Sequence, residues 1–374
     1  MENRAGTFIS QPSGYKTFKP KPLPPIPTVS YDSEMIELLS RADRMLGRLD
    51  GVTETLPDPE LFVAMYVQKE AVLSSQIEGT QASLVDVFDG DQTKEKREDI
   101  GDIINYVGAM NYGLERLKEF PLSLRLLREI HQVLLSSGRG SKRSPGEFRT
   151  SQNWIGGNSL MDAKFIPPHH DFLNILMGDL ENFLNNPDLS LPTLMKIAIA
   201  HYQFETIHPF LDGNGRIGRL LITLFLVQER ILDRPLLYLS TYFEKRKDLY
   251  YDNLNEIRTK NDLKQWIKYF LVGIEQTASQ ASQTLYEILR FKEDIEHKIQ
   301  REYGRRNHQA ITLLHELLKN PFTTVEQAAS ICGITYKAAN ELVKKLCGDD
   351  ILVEITGKNR NRLFVFEKYL NIVN

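Results

Sequence analysis

The sequence predicts a mainly α-helical protein with a small β-hairpin in its middle and a compact module of helices and strands at its end. Three observations carry this reading. Apolar residues recur every three to four positions through most of residues 32–303, which is the helical period. Between Ser137 and Pro168 that period stops, and two short extended arms with glycines between them take its place. After residue 304 the order becomes helix, helix, helix, strand, strand.

The composition sets bounds. A chain of 374 residues is enough for two or three domains, and 41% hydrophobic with 25% charged residues argues against disorder. Two cysteines, Cys332 and Cys347, exclude a disulfide-built secreted scaffold. With no His or Cys beside them to complete a metal site, they are expected to be core thiols. A formal charge of −3 is too balanced to imply a polyanion partner for the whole molecule. Met1 to Ser10 lacks the apolar core of a signal peptide. The longest apolar stretch, Leu220 to Val227, falls far short of the ~20 residues of a membrane span. A soluble, cytoplasmic protein without a membrane partner is the expectation.

The elements follow in order. Residues 1–31 contain Lys19-Pro20-Lys21-Pro22-Leu23-Pro24-Pro25-Ile26-Pro27, which cannot sustain a helix and reads as an extended polyproline arm packed on its own protein. Docking to another protein is the alternative use of such a segment. From Asp32, the residues Met35, Leu38, Leu39, Ala42, Leu46 and Leu49 mark a first helix. A second runs from about Pro59 to Ile77, with Leu61, Met65 and Val72 on its apolar positions, and stops at Glu78-Gly79. Further helices are expected at about 100–118 and 122–136. The hairpin arms are Gln152 to Asn158 and Lys164 to Pro168. Helices resume at 171–185, 191–207, 216–228, 250–259, 263–279 and 282–303. In the tail, Ala310 to Leu318, Thr324 to Ile331 and Thr335 to Cys347 read as helices. The segments Ile351 to Thr356 and Leu363 to Phe366 read as strands around a Gly357 to Arg362 turn. This is the order of a winged helix-turn-helix.

One stretch carries chemistry: His208-Pro209-Phe210-Leu211-Asp212-Gly213-Asn214-Gly215-Arg216-Ile217-Gly218-Arg219. It joins two strongly apolar helices. Pro209 ends the first near Ile207, and Gly213 and Gly215 allow a tight turn and close approach of a ligand. The next helix, expected from about Arg216, turns unpaired N–H groups and the positive end of its dipole toward the loop, the construction of a phosphate site. Arg216 and Arg219 share a face near that end, an unfavourable pairing unless an anion lies beside them. Asp212 is a hard oxygen ligand suited to Mg²⁺ on phosphates. His208 titrates near neutral pH and is placed to take a proton from a hydroxyl.

The stretch resembles the signature of the Fic family, His-Pro-Phe-x-(Asp/Asn)-Gly-Asn-Gly-Arg-x-x-Arg, at every fixed position. The helices around it, the 154–168 hairpin and Gly146-x-x-Arg149 also resemble the family, and the likeness covers about residues 100–280. The resemblance implies a Fic-type helical bundle and transfer of AMP from ATP to a Tyr, Thr or Ser hydroxyl of a target protein, or of the protein itself. His208 is then the general base, and Asp212 holds Mg²⁺ or Mn²⁺. The Gly213–Gly215 backbone and the Asn214 side chain cradle phosphates, followed by Arg216, Ile217, Gly218 and Arg219 on the nucleotide. Ile155, Gly156, Gly157 and Asn158 resemble the flap that docks the target as an added strand. Tyr250 and Tyr251 resemble the pair on the adenine side, although Arg258 stands where some members place Asn. Ser74-Ser75-Gln76-Ile77-Glu78-Gly79 resembles the family's inhibitory motif. That implies a salt bridge from Glu78 to Arg219 that blocks productive ATP binding; in some members the same glutamate helps to remove AMP. Homodimers are common in the family and are expected here.

The organisation expected is therefore a Pro-rich arm (1–31), a helical region with the inhibitory helix (32–99), the catalytic core (100–280), a linking helix (281–304) and the winged-helix domain (305–374). The last has ten Lys/Arg against seven Asp/Glu, and Lys337, Lys344, Lys345, Lys358, Arg360 and Arg362 offer a phosphate-backbone footprint. DNA is thus one expected partner; protein contact or dimerisation is the other use of such a module. Two alternatives to AMP transfer stand beside it. One is a DNA-binding regulator whose Fic core senses nucleotide. The other is phosphate transfer of the Doc kind, whose members usually degenerate the Gly-Asn-Gly-Arg-x-x-Arg segment that is whole here.

Overall fold

The computed structural model describes residues 4–54, 59–88, 94–358 and 360–373. The start of the chain, Met1 to Asn3, and Asn359 at the centre of the expected wing turn lie outside them, as does the side chain of Leu61. The molecule is mainly helical.

The first segment departs from expectation. Strands β1 (Gly6–Ser10) and β2 (Lys16–Pro20) pair antiparallel, with Phe8 opposite Phe18. The cause is local. Pro12-Ser13-Gly14 is a turn former, and Gly14, at φ +90°, sits where glycine alone is unstrained. Phe18 is wholly buried 6.1 Å from the Phe165 ring, and its N–H donates to the Ile166 carbonyl at 3.0 Å. The proline segment beyond it does lie on its own protein. The Leu23 N–H donates to Asp179 at 2.8 Å, and Gln203 donates to the Lys21 carbonyl at 3.0 Å.

Helix α1 (Ser33–Glu54) is capped by Asp32, whose carboxylate accepts from the Met35 N–H at 2.9 Å. There follow α2 (Pro59–Ile77), a short α3 (Leu84–Phe88) that periodicity does not reveal, α4 (Lys94–Leu117) and α5 (Leu124–Leu134). Beyond the loop region come α6 (Leu173–Asn185), α7 (Thr193–Ile207), α8 (Asn214–Gln228), a further unanticipated short α9 (Ser240–Lys245), and α10 (Lys247–Lys260). Helix α7 is buried on every side from Leu194 to Ile207, so it forms the centre of the bundle and packs on α6, α8 and α11. The two helices expected at 263–279 and 282–303 are one, α11 (Leu263–Glu302), 40 residues long. Ser279-Gln280-Ala281-Ser282 interrupts the apolar period but holds neither Pro nor Gly, so the backbone ladder continues. Helix α1 lies along α11.

The expected hairpin is not a pair of strands. Ile155 and Phe165 form an isolated antiparallel bridge, with N–H to carbonyl distances of 2.8 and 3.1 Å. Gly156 and Gly157, at φ +69° and +75°, and the Asp162 carboxylate, which accepts from the Asn158 and Ser159 N–H groups, turn the chain away before pairing can extend.

The tail comprises α12 (Asn307–Lys319), β3 (Phe322–Thr324), α13 (Val325–Cys332), α14 (Tyr336–Gly348), β4 (Val353–Glu354), β5 (Leu363–Val365) and α15 (Glu367–Val373). Its antiparallel sheet has the order β3-β5-β4. Thr324 makes a full capping box with Gln327, and Gly333 takes the left-handed position after α13. β3 and α15 were not expected, and β4 is shorter than 351–356. The tail is fastened to the core. Helix α12 packs on α2, and Lys69 of α2 donates to the Val373 carbonyl at 2.6 Å. Among the described residues no helix is long and apolar enough to cross a membrane.

Candidate active site

The loop takes its shape from His208. This residue closes α7 in the left-handed conformation, φ 50° and ψ 61°, where its N–H still reaches the Phe204 carbonyl at 2.9 Å. The chain then passes to α8, which begins at Asn214, two residues earlier than expected, with Gly213 at φ 76° before it. Asn214 explains the early start. Its amide donates to the Phe210 carbonyl at 2.9 Å and accepts from the Phe210 N–H at 2.8 Å, closing the loop on itself. The side chain expected to cradle phosphate is thus committed to the loop. The unpaired N–H groups of the first turn of α8 remain as anion donors.

Residues distant in sequence hold the loop from beneath. Arg149, 3% exposed, donates from Nε to the His208 carbonyl at 3.0 Å and from its two terminal nitrogens to Ser151, Pro168 and Ile207. Asn153 donates to the carbonyls of His208 and Phe210 at 3.2 and 3.0 Å. His131 stacks on Phe210 with ring centroids 3.7 Å apart, accepts from the Gly146 N–H at Nδ1, and from Nε2 donates to the Asp212 carbonyl at 3.0 Å. Burial lowers the His131 pKa to about 4, so the ring is neutral and this tautomer is fixed.

The two arginines do not stand unpaired. Arg216 lies 3.9 Å from Asp102 and 3.4 Å from Asp212. Arg219, 2% exposed, donates from Nε to the Ser74 hydroxyl at 2.8 Å, and from one terminal nitrogen to the Ser74 carbonyl at 2.8 Å and Glu78 at 2.7 Å. The repulsion inferred from sequence is met by the protein's own carboxylates. Burial opposes ionisation of Glu78, but Arg219, then Arg216 and His208, hold its pKa below the ordinary value. A Cβ at Gly215 would strike the Glu78 carboxylate, so a larger residue there would displace Glu78 from Arg219. Ile217 and Gly218 are not ligand-facing. Ile217 is wholly buried, and Gly218 packs against Glu205 while its carbonyl accepts from His201 at 2.9 Å. Apolar character at Ile217 follows the helix period into the core.

Burial lowers His208 to a pKa of about 4, with Glu78 opposing and Arg149 and Arg258 assisting, so its imidazole is neutral at pH 7 and free to accept a proton. Tyr250 is 1% exposed and its hydroxyl bonds to His201 Nε2 at 2.9 Å; it belongs to the core beneath the expected adenine side. Tyr251, 39% exposed, does line a cleft of about 560 Å³. Ile155, Gly156, Lys164, Phe165 and Arg258 complete that cleft with acidic residues of α10. Gly157 and Asn158 lie in the turn beyond it. The Arg258 guanidinium sits 3.7 Å over the Phe165 ring and so braces the Ile155–Phe165 bridge.

Asp212 is 39% exposed at the edge of the loop, with Oδ1 accepting from the Gly213 N–H at 2.6 Å. One such carboxylate beside the open first turn of α8 has the chemistry of a Mg²⁺ ligand, an ion that uses few protein ligands. Elsewhere, His169, His170 and Asp171 bring ligand atoms within 4.8 Å of one another just before α6, a grouping that adjacency in sequence makes visible only in retrospect.

A model of the Fic/DOC family N-terminal region matches residues 36–115, and the Fic/DOC family model matches residues 121–226. The chain is 31% identical over 193 residues to "Protein adenylyltransferase Fic" of Aedes aegypti, covering 50% of this chain and 34% of that protein. It is 30% identical over 225 residues to the protein of the same name from Culex quinquefasciatus, with shares of 56% and 41%. The matched region spans less than half the length of these curated relatives. In fold, it is similar to a Fic family protein from Desulfovibrio desulfuricans G20, with a TM-score of 0.57, 19% identity, and coverage of 90% of this chain and 97% of that one.

Proposed function

Because this chain belongs to the Fic/DOC family, we propose that it is a protein adenylyltransferase, moving AMP from ATP to a Tyr, Thr or Ser hydroxyl of a target protein. The observation that carries this reading is the loop itself. A neutral His208 stands at the end of α7, and the open first turn of α8 and two guanidiniums follow within eleven residues of it. His208 Nε2 takes the proton of the target hydroxyl, whose oxygen bonds to the α-phosphorus as pyrophosphate leaves. The N–H groups of the first α8 turn receive phosphate oxygens, and Arg216 and Arg219 neutralise the charge that develops. Asp212 would hold Mg²⁺, which supplies further charge neutralisation on the phosphates when bound. The target backbone adds beside Ile155 and Phe165, and Tyr251 borders the nucleotide.

Autoinhibition follows from the Arg219 pairing. Held by Ser74 and Glu78, this guanidinium is withheld from the γ-phosphate, and ATP sits unproductively. The α12–α15 module, with β3-β5-β4 and a basic turn, is read as a winged helix that binds DNA or protein. Incubation with ATP labelled at the α or γ position tests the main reading. Label from the α position is expected on protein and is abolished by His208→Ala. Label from the γ position alone would replace AMP transfer by phosphate transfer. No label from either, with salt-dependent binding of duplex DNA, would favour a nucleotide-sensing regulator.

A further inference from the structure

We propose that Glu205 is the positioning residue of the general base, pairing through its carboxylate with Nδ1 of His208 so that Nε2 faces the target hydroxyl. The inference rests on the AMP-transfer reading of the same loop. Glu205 stands one turn before His208 on α7, with Oε2 4.0 Å from Nδ1. His208 Nδ1 is a buried atom without a hydrogen bond, and so is Glu205 Oε1, the other oxygen of the carboxylate whose Oε2 faces Nδ1. A side chain only 6% exposed does not leave a carboxylate oxygen unpaired without cost. The room for it is built by α8, because Gly218 lacks a Cβ and one placed there would force Glu205 Oε1 to move. A shortening of roughly 1 Å brings the pair to charge-assisted hydrogen-bond distance. Such tightening is ordinary when a substrate completes a base site.

The groups facing Glu205 come from four elements. His208 lies on its own helix and Arg219 on α8. Glu78 follows α2, and Arg258, Tyr250 and Tyr251 lie on α10. Burial raises its pKa to about 7, Arg219 and Arg258 opposing and Glu78 adding to it. Below that pH the carboxylic acid donates to Nδ1 and leaves the proton of the ring on Nε2, the wrong tautomer. Above it the carboxylate accepts the Nδ1 proton and Nε2 presents a lone pair. When the hydroxyl proton arrives at Nε2, the imidazolium is stabilised by the adjacent carboxylate. The Glu205 backbone carbonyl also acts on the His208 ring, and it survives substitution of the side chain.

The test compares Glu78→Gly with Glu78→Gly/Glu205→Gln in the full chain. The first is expected to show a kcat limb whose midpoint lies below about 7, because the loss of Glu78 removes one of the charges that raise Glu205. The second is expected to lose that limb, and its kcat falls by about tenfold or more with KM for ATP unchanged. Nitrogen NMR shifts of His208, assigned by difference from His208→Ala, should step near pH 7 in the parent and not in Glu205→Gln. This readout needs no catalysis, so it decides the pairing even if no variant transfers AMP. AMP transfer with limb and step unmoved by Glu205→Gln would overturn the pairing and leave the transfer reading intact. Absence of the step in the parent would overturn it as well.

Discussion

Replacing Glu78 by glycine removes one of three hydrogen bonds that fix the Arg219 guanidinium, leaving the two to Ser74. The bond is 2.7 Å long and joins two charges, a class worth about 1.5–3 kcal/mol when shielded. The Glu78 side chain is 36% exposed, so water screens part of this, and about 1–2 kcal/mol is a fair estimate. If the pair is what keeps Arg219 from the γ-phosphate, its loss shifts the equilibrium by roughly 5- to 30-fold toward the productive pose. The assay is the initial rate of α-label transfer at saturating ATP, compared between wild type and Glu78→Gly. Glu78→Gln, which keeps the shape but not the charge, should fall between them. Equal rates for wild type and Glu78→Gly would refute the idea that this contact is a brake, whatever the enzyme transfers.

Ser74→Ala should also release Arg219, by a smaller factor of about fivefold, because Ser74 keeps its backbone carbonyl contact. Its effect will not add to that of Glu78→Gly, since both act on one guanidinium; strict additivity of rates would speak against a shared network. Arg149→Lys should lower stability by about 2–4 kcal/mol, because one ammonium cannot serve the four carbonyls that the guanidinium fans across. Urea unfolding measures this, and a loss within experimental scatter would show that the loop is held by other contacts. Glu70 gives a pH prediction. It is buried on α2 between the hydroxyls of Tyr106 and Ser240, and burial pushes its pKa up to about 7. An unfolded carboxylate ionises near 4.5, so stability should fall as pH rises from about 4.5 to about 7, by on the order of 2–3 kcal/mol from this group. Glu70→Gln should therefore be more stable relative to wild type at pH 8 than at pH 5; a difference constant across that range would contradict the assignment.

What was legible in the sequence and what was not divides along physical lines. The chemistry of the loop lies in consecutive residues, and the i to i+3 placement of Arg216 and Arg219 is fixed by helix geometry alone. The Glu78–Arg219 pair was legible only through resemblance, since nothing in the residues themselves joins positions 141 apart. His131 and Arg149 support the loop from 81 and 59 residues away, and a histidine on an apolar helix face looks like any other. The β1–β2 hairpin was obscured by the prolines beside it, although Pro12-Ser13-Gly14 marks its turn. Tyr250 was drawn to the ligand side by its neighbour Tyr251, when a helix places adjacent residues on different faces. Glu205 is the instructive case. It stood three residues before His208 in plain view, yet one acidic residue at the end of an apolar helix gives no sign of its partner. Only the burial of α7 on every side, and the missing Cβ of Gly218, turn it from a solvated charge into a carboxylate with one partner left to find. The same burial that makes the group hard to see in sequence is what moves its ionisation into the range where it can control His208.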